Sequence, residues 1–218
     1  MNIGFYLTGQ DPLGFIFADR LIRSAREVMP GVPICQLTDD RTPMVWGTDA
    51  VKRRTGQALS LLRSTHYSML SGDWLLVDTD VIIQRDVRHV MEADDFDIAV
   101  TDRDWSHLKE LPKSYTDEMP YCAGVVFSRC PVFWLAVHEE VRQMDCKSQE
   151  WFGDQKAIAT IIQRAQFRIR VLPGSVYQYP PLADSDGRDA AIMHYKGPDR
   201  KTFLINRIRR ELWNAPVV

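Results

Sequence analysis

The chain reads as an α/β protein with a mainly parallel sheet sandwiched by helices. Two observations predict this. Apolar runs of strand length alternate along the chain with segments of helical spacing. Those runs are apolar throughout, as a strand covered on both faces must be. No internal repeat or linker interrupts the 218 residues, so one domain is expected over 1–218, with a short basic C-terminal tail from about residue 202.

The elements follow in order. A first strand spans 2–9 and ends at Gly9. In 15–29, Phe17, Leu21, Ile22, Ala25 and Val28 fall at helical spacing, and Pro30-Gly31 closes the helix. A strand over 32–40 runs into an acidic turn, and a helix over 56–70 ends at Ser71-Gly72-Asp73. "WLLVDTDVII" (74–83) reads as one central strand, followed by strands at 96–102 and 122–128. A helix over 131–144 has Pro131 in its first turn, where the missing N–H costs nothing. A helix at 154–165 and strands at 167–173 and 190–195 complete the pattern.

Composition narrows the class. The chain is 45% hydrophobic and 26% charged, and its net charge of −2 gives no general attraction to nucleic acid or membrane. Cys35, Cys122, Cys130 and Cys146 show no C-x-x-C spacing, which points to reduced thiols. No apolar run approaches the ~18 residues of a transmembrane helix, and the N-terminus lacks a signal-peptide pattern. The expected location is cytoplasmic.

Asp-x-Asp occurs four times, as Asp78/Asp80, Asp95/Asp97, Asp102/Asp104 and Asp184/Asp186. Only Asp78/Asp80 follows an apolar run at the C-terminal end of a central strand, where open α/β sheets bind ligands. In a continuous strand both carboxylates would share a face, and their repulsion at about 4 Å is roughly 4 kcal/mol at an effective dielectric near 20. A divalent cation would resolve it and bridge the pair to a diphosphate. The alternative is that one Asp caps a turn while the other pairs with Arg85 or Arg88; the motif alone does not decide.

In "WFGDQKAIATII" (151–162), Asp154 is placed to N-cap a helix, a role that does not call for Gln155 beside it. Capping is the favoured reading of this motif by itself; the alternative is that carboxylate and amide leave the helix start to bind sugar hydroxyls or the reacting centre. In "IMHYKGPDRK" (192–201), His194 ends an apolar strand, Gly197 permits a sharp turn, and Lys196, Arg200 and Lys201 follow. An imidazole with carboxylates makes a mixed N/O set suited to Mn²⁺, and the cations would neutralise a leaving diphosphate.

Taken in order, these stretches resemble the GT-A glycosyltransferases, most closely the retaining family eight that includes glycogenin and the lipopolysaccharide galactosyltransferases. The opening "YLTGQD", the D-x-D of "LLVDTDVII", Gly124-Val125 in "YCAGVVFS", Gly153-Asp154-Gln155, and His194, Gly197 and Arg200 match its pattern from about residue 3 to 203. Arg54 and Arg63 are similar to an Arg/Lys pair in the region before the family's D-x-D. Cys122, Ala123 and Arg200 depart from the pattern, the first two removing hydrogen bonds to the sugar.

The resemblance implies a GT-A, Rossmann-like fold and transfer of a sugar from a nucleotide-diphosphate donor, with UDP expected, to an acceptor hydroxyl with retention. It implies that Asp78, Asp80 and His194 hold Mn²⁺, with Mg²⁺ as the substitute. It places Thr8, Gly9, Asp11 and Asp39 by the base and has Asp78 also touch the ribose. Arg54, Arg63, Gly124 and Gly197 complete the donor site, Arg200 and Lys201 hold the diphosphate, and Asp154 and Gln155 stand by the anomeric centre.

A haloacid-dehalogenase-type phosphohydrolase is a rival reading of the Asp pair, although Ile82 stands where that pattern wants Thr or Val. A nucleotidyltransferase is a weaker one, because the N-terminal loop lacks the Gly-rich, Arg-containing signature. A non-catalytic sugar-nucleotide binder is the third. The expected acceptor is a glycan or lipid-linked glycan. DNA is a less favoured acceptor, raised only by the basic clusters Lys52-Arg53-Arg54 and Arg207, Arg209 and Arg210.

Overall fold

A computed structural model describes residues 1–54, 59–103, 117–150, 152–183, 187 and 189–213. The elements are β1 (Asn2–Tyr6), α1 (Pro12–Val28), β2 (Ile34–Thr38), β3 (Ala50–Arg53), α2 (Leu59–Tyr67), β4 (Trp74–Val77) and β5 (Val81–Ile83). A 3₁₀ turn (Arg88–Glu92), β6 (Ile98–Asp102), β7 (Tyr121–Ser128), α3 (Pro131–Arg142) and α4 (Cys146–Glu150) follow. The chain continues through α5 (Gly153–Gln163), β8 (Ile169–Leu172), α6 (Gly174–Tyr177), β9 (Ile192–His194) and α7 (Pro198–Trp213).

Seven strands form one sheet in the order β3-β2-β1-β4-β7-β6-β8. All neighbours are parallel except β7, which runs antiparallel to both β4 and β6. The α/β class and the mainly parallel sheet thus match the sequence reading. Alternate residues of each strand feed opposite layers. Leu75 and Val77 join Leu21 and Ile22 of α1, while Trp74 and Leu76 join Leu62 of α2, Trp134 of α3 and Ile158 of α5. Burial on both sides is why these strands lack polar alternation.

"WLLVDTDVII" is two strands, not one. β4 ends at Val77 and β5 begins at Val81, with Asp78-Thr79-Asp80 forming the corner between them. The reason lies in pairing: β5 leaves the main sheet and pairs antiparallel with β9, so that Val81 faces His194. The corner is pinned from two directions. Asp78 N donates to Gly124 O at 3.0 Å, and Tyr195 N donates to Asp80 O at 2.9 Å.

Other boundaries shift for local reasons. α1 starts at Pro12 rather than residue 15 because Asp11 caps it, accepting from Leu13 N at 3.1 Å. β3 has no apolar signature in "AVKR" and forms because it pairs with β2 at the sheet edge. Of the helix expected over 56–70, residues 56–58 lie outside the described residues, and α2 ends at Tyr67, where residues 68–70 turn out of the helix. The segment from about 202, read as a basic tail, belongs to the 16-residue helix α7. Its Leu204 packs with Phe17, Ile82, Met193 and Tyr195 in a third apolar cluster. Arg20 of α1 pairs with Glu211 at 2.7 Å and ties α7 down.

Asp49 fastens β2 to α1, its Oδ2 accepting from Ile34 N and from Arg26 Nη2, each at 2.6 Å. The Ile34 N–H and then the Arg26 guanidinium lower its carboxyl below the usual range. A lowered carboxyl contributes stability above the unfolded value, near 4, and loses it as pH falls through the folded one. Asp49→Asn should therefore cost about 1 kcal/mol at pH 7, the half-exposed pair being screened. That amounts to about 2–4 °C in Tm, and the difference from the parent should shrink in a thermal melt as pH falls from the unfolded carboxylate value through the lowered folded one.

Candidate active site

Asp78 and Asp80 leave the C-terminal end of β4, and His194 closes β9 opposite Val81. The pairing carries a residue more than a hundred positions downstream to the acidic corner. His194 Nε2 stands 3.3 Å from Asp80 Oδ1 and 3.6 Å from Asp78 Oδ2. The other oxygen of each carboxylate meets a cation: Asp80 Oδ2 faces Lys201 Nζ at 3.3 Å, and Asp78 Oδ1 accepts from Arg63 Nη2 at 2.9 Å. One oxygen of each acid is thus clamped while the other points at the imidazole.

Gly124 makes the convergence sterically allowed. A Cβ there would lie 2.2 Å from His194 Cε1 and 2.8 Å from Asp78 Oδ2. Only a residue without a side chain lets β7 approach both groups.

Arg63 links this corner to the next element. Its guanidinium lies 5.9 Å from the centroids of both the Tyr6 and Tyr67 rings, and its Nη1 stands 3.3 Å from Asp154 Oδ2. Burial opposes the charge, but Tyr67, Asp78 and Asp154 around it hold the guanidinium firmly protonated. Asp154 is not the N-cap expected of it. Phe152 occupies that position with a left-handed φ of 62°, uncommon for a bulky residue, and Asp154 sits in the first turn of α5. Gln155 Oε1 accepts from Lys196 Nζ at 3.3 Å and from Arg103 Nη2.

A cleft of about 740 Å³ opens over these groups and is lined by Thr8, Arg63, Asp78, Asp80, Asp154, Gln155, His194, Lys196, Gly197, Arg200 and Lys201. Gly197 turns with φ 90° and swings Arg200 and Lys201 back toward Asp80. Gly9, Asp11, Asp39 and Arg54 do not line the cleft. Asp11 caps α1, and Asp39 accepts from Arg41 N and Thr42 N, whose side chain in turn accepts from Gly9 N. Arg54 lies against Met69. Neither Arg85 nor Arg88 pairs with the motif, because they meet Asp189 and Asp86. Asp104, Asp184 and Asp186 lie outside the described residues.

Three groups escaped the sequence reading. Tyr67 beside Arg63 and Phe152 at the start of α5 belong to no motif, and nothing in the sequence distinguishes them. Arg103 sits inside the Asp102/Asp104 pair, where its neighbours suggest an exposed position, yet it is buried. The basic clusters are largely tied within the fold. Lys52 Nζ lies over the Trp74 ring, Arg53 donates to Asp39 O and Thr42 O, and Arg207 donates to Tyr195 Oη.

The electrostatics favour a cation at the corner. Burial opposes ionisation of Asp80, but His194 and Lys201 hold its carboxyl below the ordinary range. Burial likewise opposes a charged His194, and the Asp80 carboxylate overrides it and raises the imidazole. Burial would push the Cys122 thiol up, but Lys196 and His194 bring it down to about 6. Among the described residues, Asp78, Asp80 and His194 each offer one ligand atom, all within 4.8 Å of one another. Two carboxylate oxygens and one imidazole nitrogen fit a divalent cation of the Mn²⁺ or Mg²⁺ kind.

Gly124→Ala should force His194 from Asp78 and cost about 1–3 kcal/mol. In differential scanning fluorimetry it should also lose any rise in Tm that Mn²⁺ confers on the parent. A variant with the parent's Tm and Mn²⁺ response would show that the close approach is not required.

No protein-family model and no curated protein matches the sequence. Solved structures do match. The galactosyltransferase LgtC, in complex with donor and acceptor sugar analogs, superposes with TM-score 0.58 at 13% identity over 100% of this chain and 97% of its own. The glycosyltransferase GlyE of Streptococcus pneumoniae TIGR4 gives 0.66 at 15% identity, over 97% of this chain and 62% of its own. A glycosyltransferase involved in glycosylating the major capsid of PBCV-1 gives 0.62 at 14% identity, over 96% of this chain and 100% of its own. The chain therefore has the GT-A glycosyltransferase fold.

Proposed function

We propose that the protein is a metal-dependent glycosyltransferase that moves a sugar from a nucleotide-diphosphate donor to an acceptor hydroxyl. One observation carries the reading: Asp78, Asp80 and His194 converge in a cleft ringed by Arg63, Lys196, Arg200 and Lys201, on a fold shared with glycosyltransferases. A divalent cation bound by the three would screen the donor's diphosphate and act as the Lewis acid for its departure. Mn²⁺ is the proposed ion, with Mg²⁺ as the substitute, and UDP is the proposed nucleotide.

The chain's own residues divide the rest of the work. Arg200 and Lys201 attract the phosphates from α7, and Lys201 also restrains Asp80. Thr8 receives the nucleoside end from the cleft wall, and Gly9, Asp11 and Asp39 shape the loops behind it. Asp78 serves the ion and the ribose. Arg63 keeps Asp78 and Asp154 in register, and Gln155 stands beside the sugar. Because Asp154 is engaged by Arg63 at 3.3 Å, it serves better as an anchor than as a proton acceptor. That supports front-face transfer with retention, in which the leaving phosphate oxygen takes the acceptor proton.

The proposed acceptor is a glycan or lipid-linked glycan; the internal ties of Lys52, Arg53 and Arg207 weigh against DNA. No described helix is long and apolar enough to cross a membrane, and we place the reaction in the cytoplasm.

Thermal shift with UDP, with and without Mn²⁺, tests the donor site. UDP with Mn²⁺ at 100-fold excess over Kd should stabilise the protein by about 2.7 kcal/mol, and UDP alone should not. Asp80→Ala should remove that response and lower release of sugar from UDP-sugars by at least about 10²-fold. Full turnover in Asp80→Ala would refute the metal assignment. Binding without turnover in the parent would mark a sugar-nucleotide binder instead.

A further inference from the structure

Gln155 stands in the cleft between two groups that can only donate. Lys196 Nζ approaches its Oε1 at 3.3 Å from the cleft side, and Arg103 Nη2 reaches the same oxygen. Arg103, at 4% exposure, lies behind the cleft lining and follows directly on β6, while Lys196 follows β9 by two residues and lines the cleft. The two cations thus arrive from different strands and meet at one amide oxygen. An ammonium and a guanidinium offer no acceptor, so a reversed amide would set its NH₂ against two positive donors. The chemistry of the partners, not the placement of two similar atoms, decides which end of Gln155 faces which way.

We infer that Arg103 and Lys196 clamp the carbonyl oxygen of Gln155 and thereby present its amide NH₂ to the cleft, making Gln155 a hydrogen-bond donor to an oxygen of the transferred sugar or the acceptor. The carbonyl oxygen is withdrawn from the reacting carbon twice over. It points at the cations, and their pull on its lone pairs makes it a poor electron donor. No acceptor on a described residue takes the amide NH₂, which leaves both hydrogens for a hydroxyl or ring oxygen in the cleft. Arg103 is then a positioning residue: it lies behind the lining and acts through the amide. What the NH₂ meets rests on the glycosyl-transfer reading; which way the amide faces does not.

Stability and turnover separate the two. Gln155→Glu places a full negative charge between the cations, where charge-assisted hydrogen bonds are roughly twice as strong as neutral ones. The expected result is a Tm rise of about 2–5 °C. The rise should shrink by at least about half when Gln155→Glu is combined with Arg103→Met or with Lys196→Met. An equal rise in all three backgrounds, or a fall in Tm on Gln155→Glu alone, overturns the clamp. Should Arg103→Met fail to fold, the cycle with the half-buried Lys196 reads the same interaction.

In UDP-sugar turnover, Gln155→Glu faces the cleft with an acceptor and should lower kcat by about 10-fold or more. The Tm response to UDP with Mn²⁺ should stay that of the parent. Arg103→Met should lower kcat more than it raises KM, and Arg103→Lys should restore part of the loss. Unchanged kcat in Gln155→Glu overturns the donor role. If the parent turns over no sugar nucleotide, the transfer reading fails and the stability cycle still decides the clamp.

Discussion

Two carboxylates that would repel are held side by side by three cationic groups, and the site is built around that constraint. Asp78 and Asp80 each give one oxygen to a cation, Arg63 or Lys201, and turn the other toward His194. A proton on the imidazole and a divalent ion between the three are alternative ways to satisfy the same two oxygens. Because the corner is almost dry at Asp80 and His194, neither acid can rely on water for this. The need for positive charge is thus built into the fold rather than added to it.

The topology makes that arrangement possible. β4 lies between parallel β1 and antiparallel β7, so its end is flanked on one side by the first loop and on the other by Gly124. The small β5–β9 sheet then sets His194 against the acidic corner, and α7 returns Lys201 to it. Arg63 runs beneath from α2 to α5, between two tyrosine rings that restrict its rotamers. One guanidinium therefore couples Asp78 to Asp154. Lys196 and Arg103 have a similar role farther along the cleft, at Gln155. The cleft is a row of carbonyl or carboxylate oxygens, each oriented by a neighbouring cation.

Much of this was legible residue by residue. Gly197 after His194 signalled a turn that brings cations back, and the left-handed φ there is what such a turn requires. Gly124 stood out only through resemblance, and its physical reason, a Cβ 2.2 Å from an imidazole carbon, exists only once two distant strands meet. Asp154 was misread as a cap because local preference for Asp at helix starts is strong; the competing claim on its carboxylate comes from Arg63, ninety-one residues upstream. The break at Asp78-Thr79-Asp80 was invisible because apolar residues flank it on both sides, and a buried strand pair and one long strand share that pattern. α7 was missed because its charge outweighed its apolar stripe, although Leu204 and its neighbours cover the β5–β9 sheet.

Sequence alone determined the α/β class and the order of most elements, because these depend on periodicity and composition; the three ligand candidates came from the resemblance, on residue types whose chemistry suits a cation. Tertiary structure decided that the acids sit on a corner and not along a strand, that Arg63 and not Arg85 or Arg88 partners Asp78, and that Arg103 is buried against Gln155. Those outcomes depend on which remote backbone pairs with which. A charge has no preferred partner until folding brings several within a few ångströms and removes the water between them.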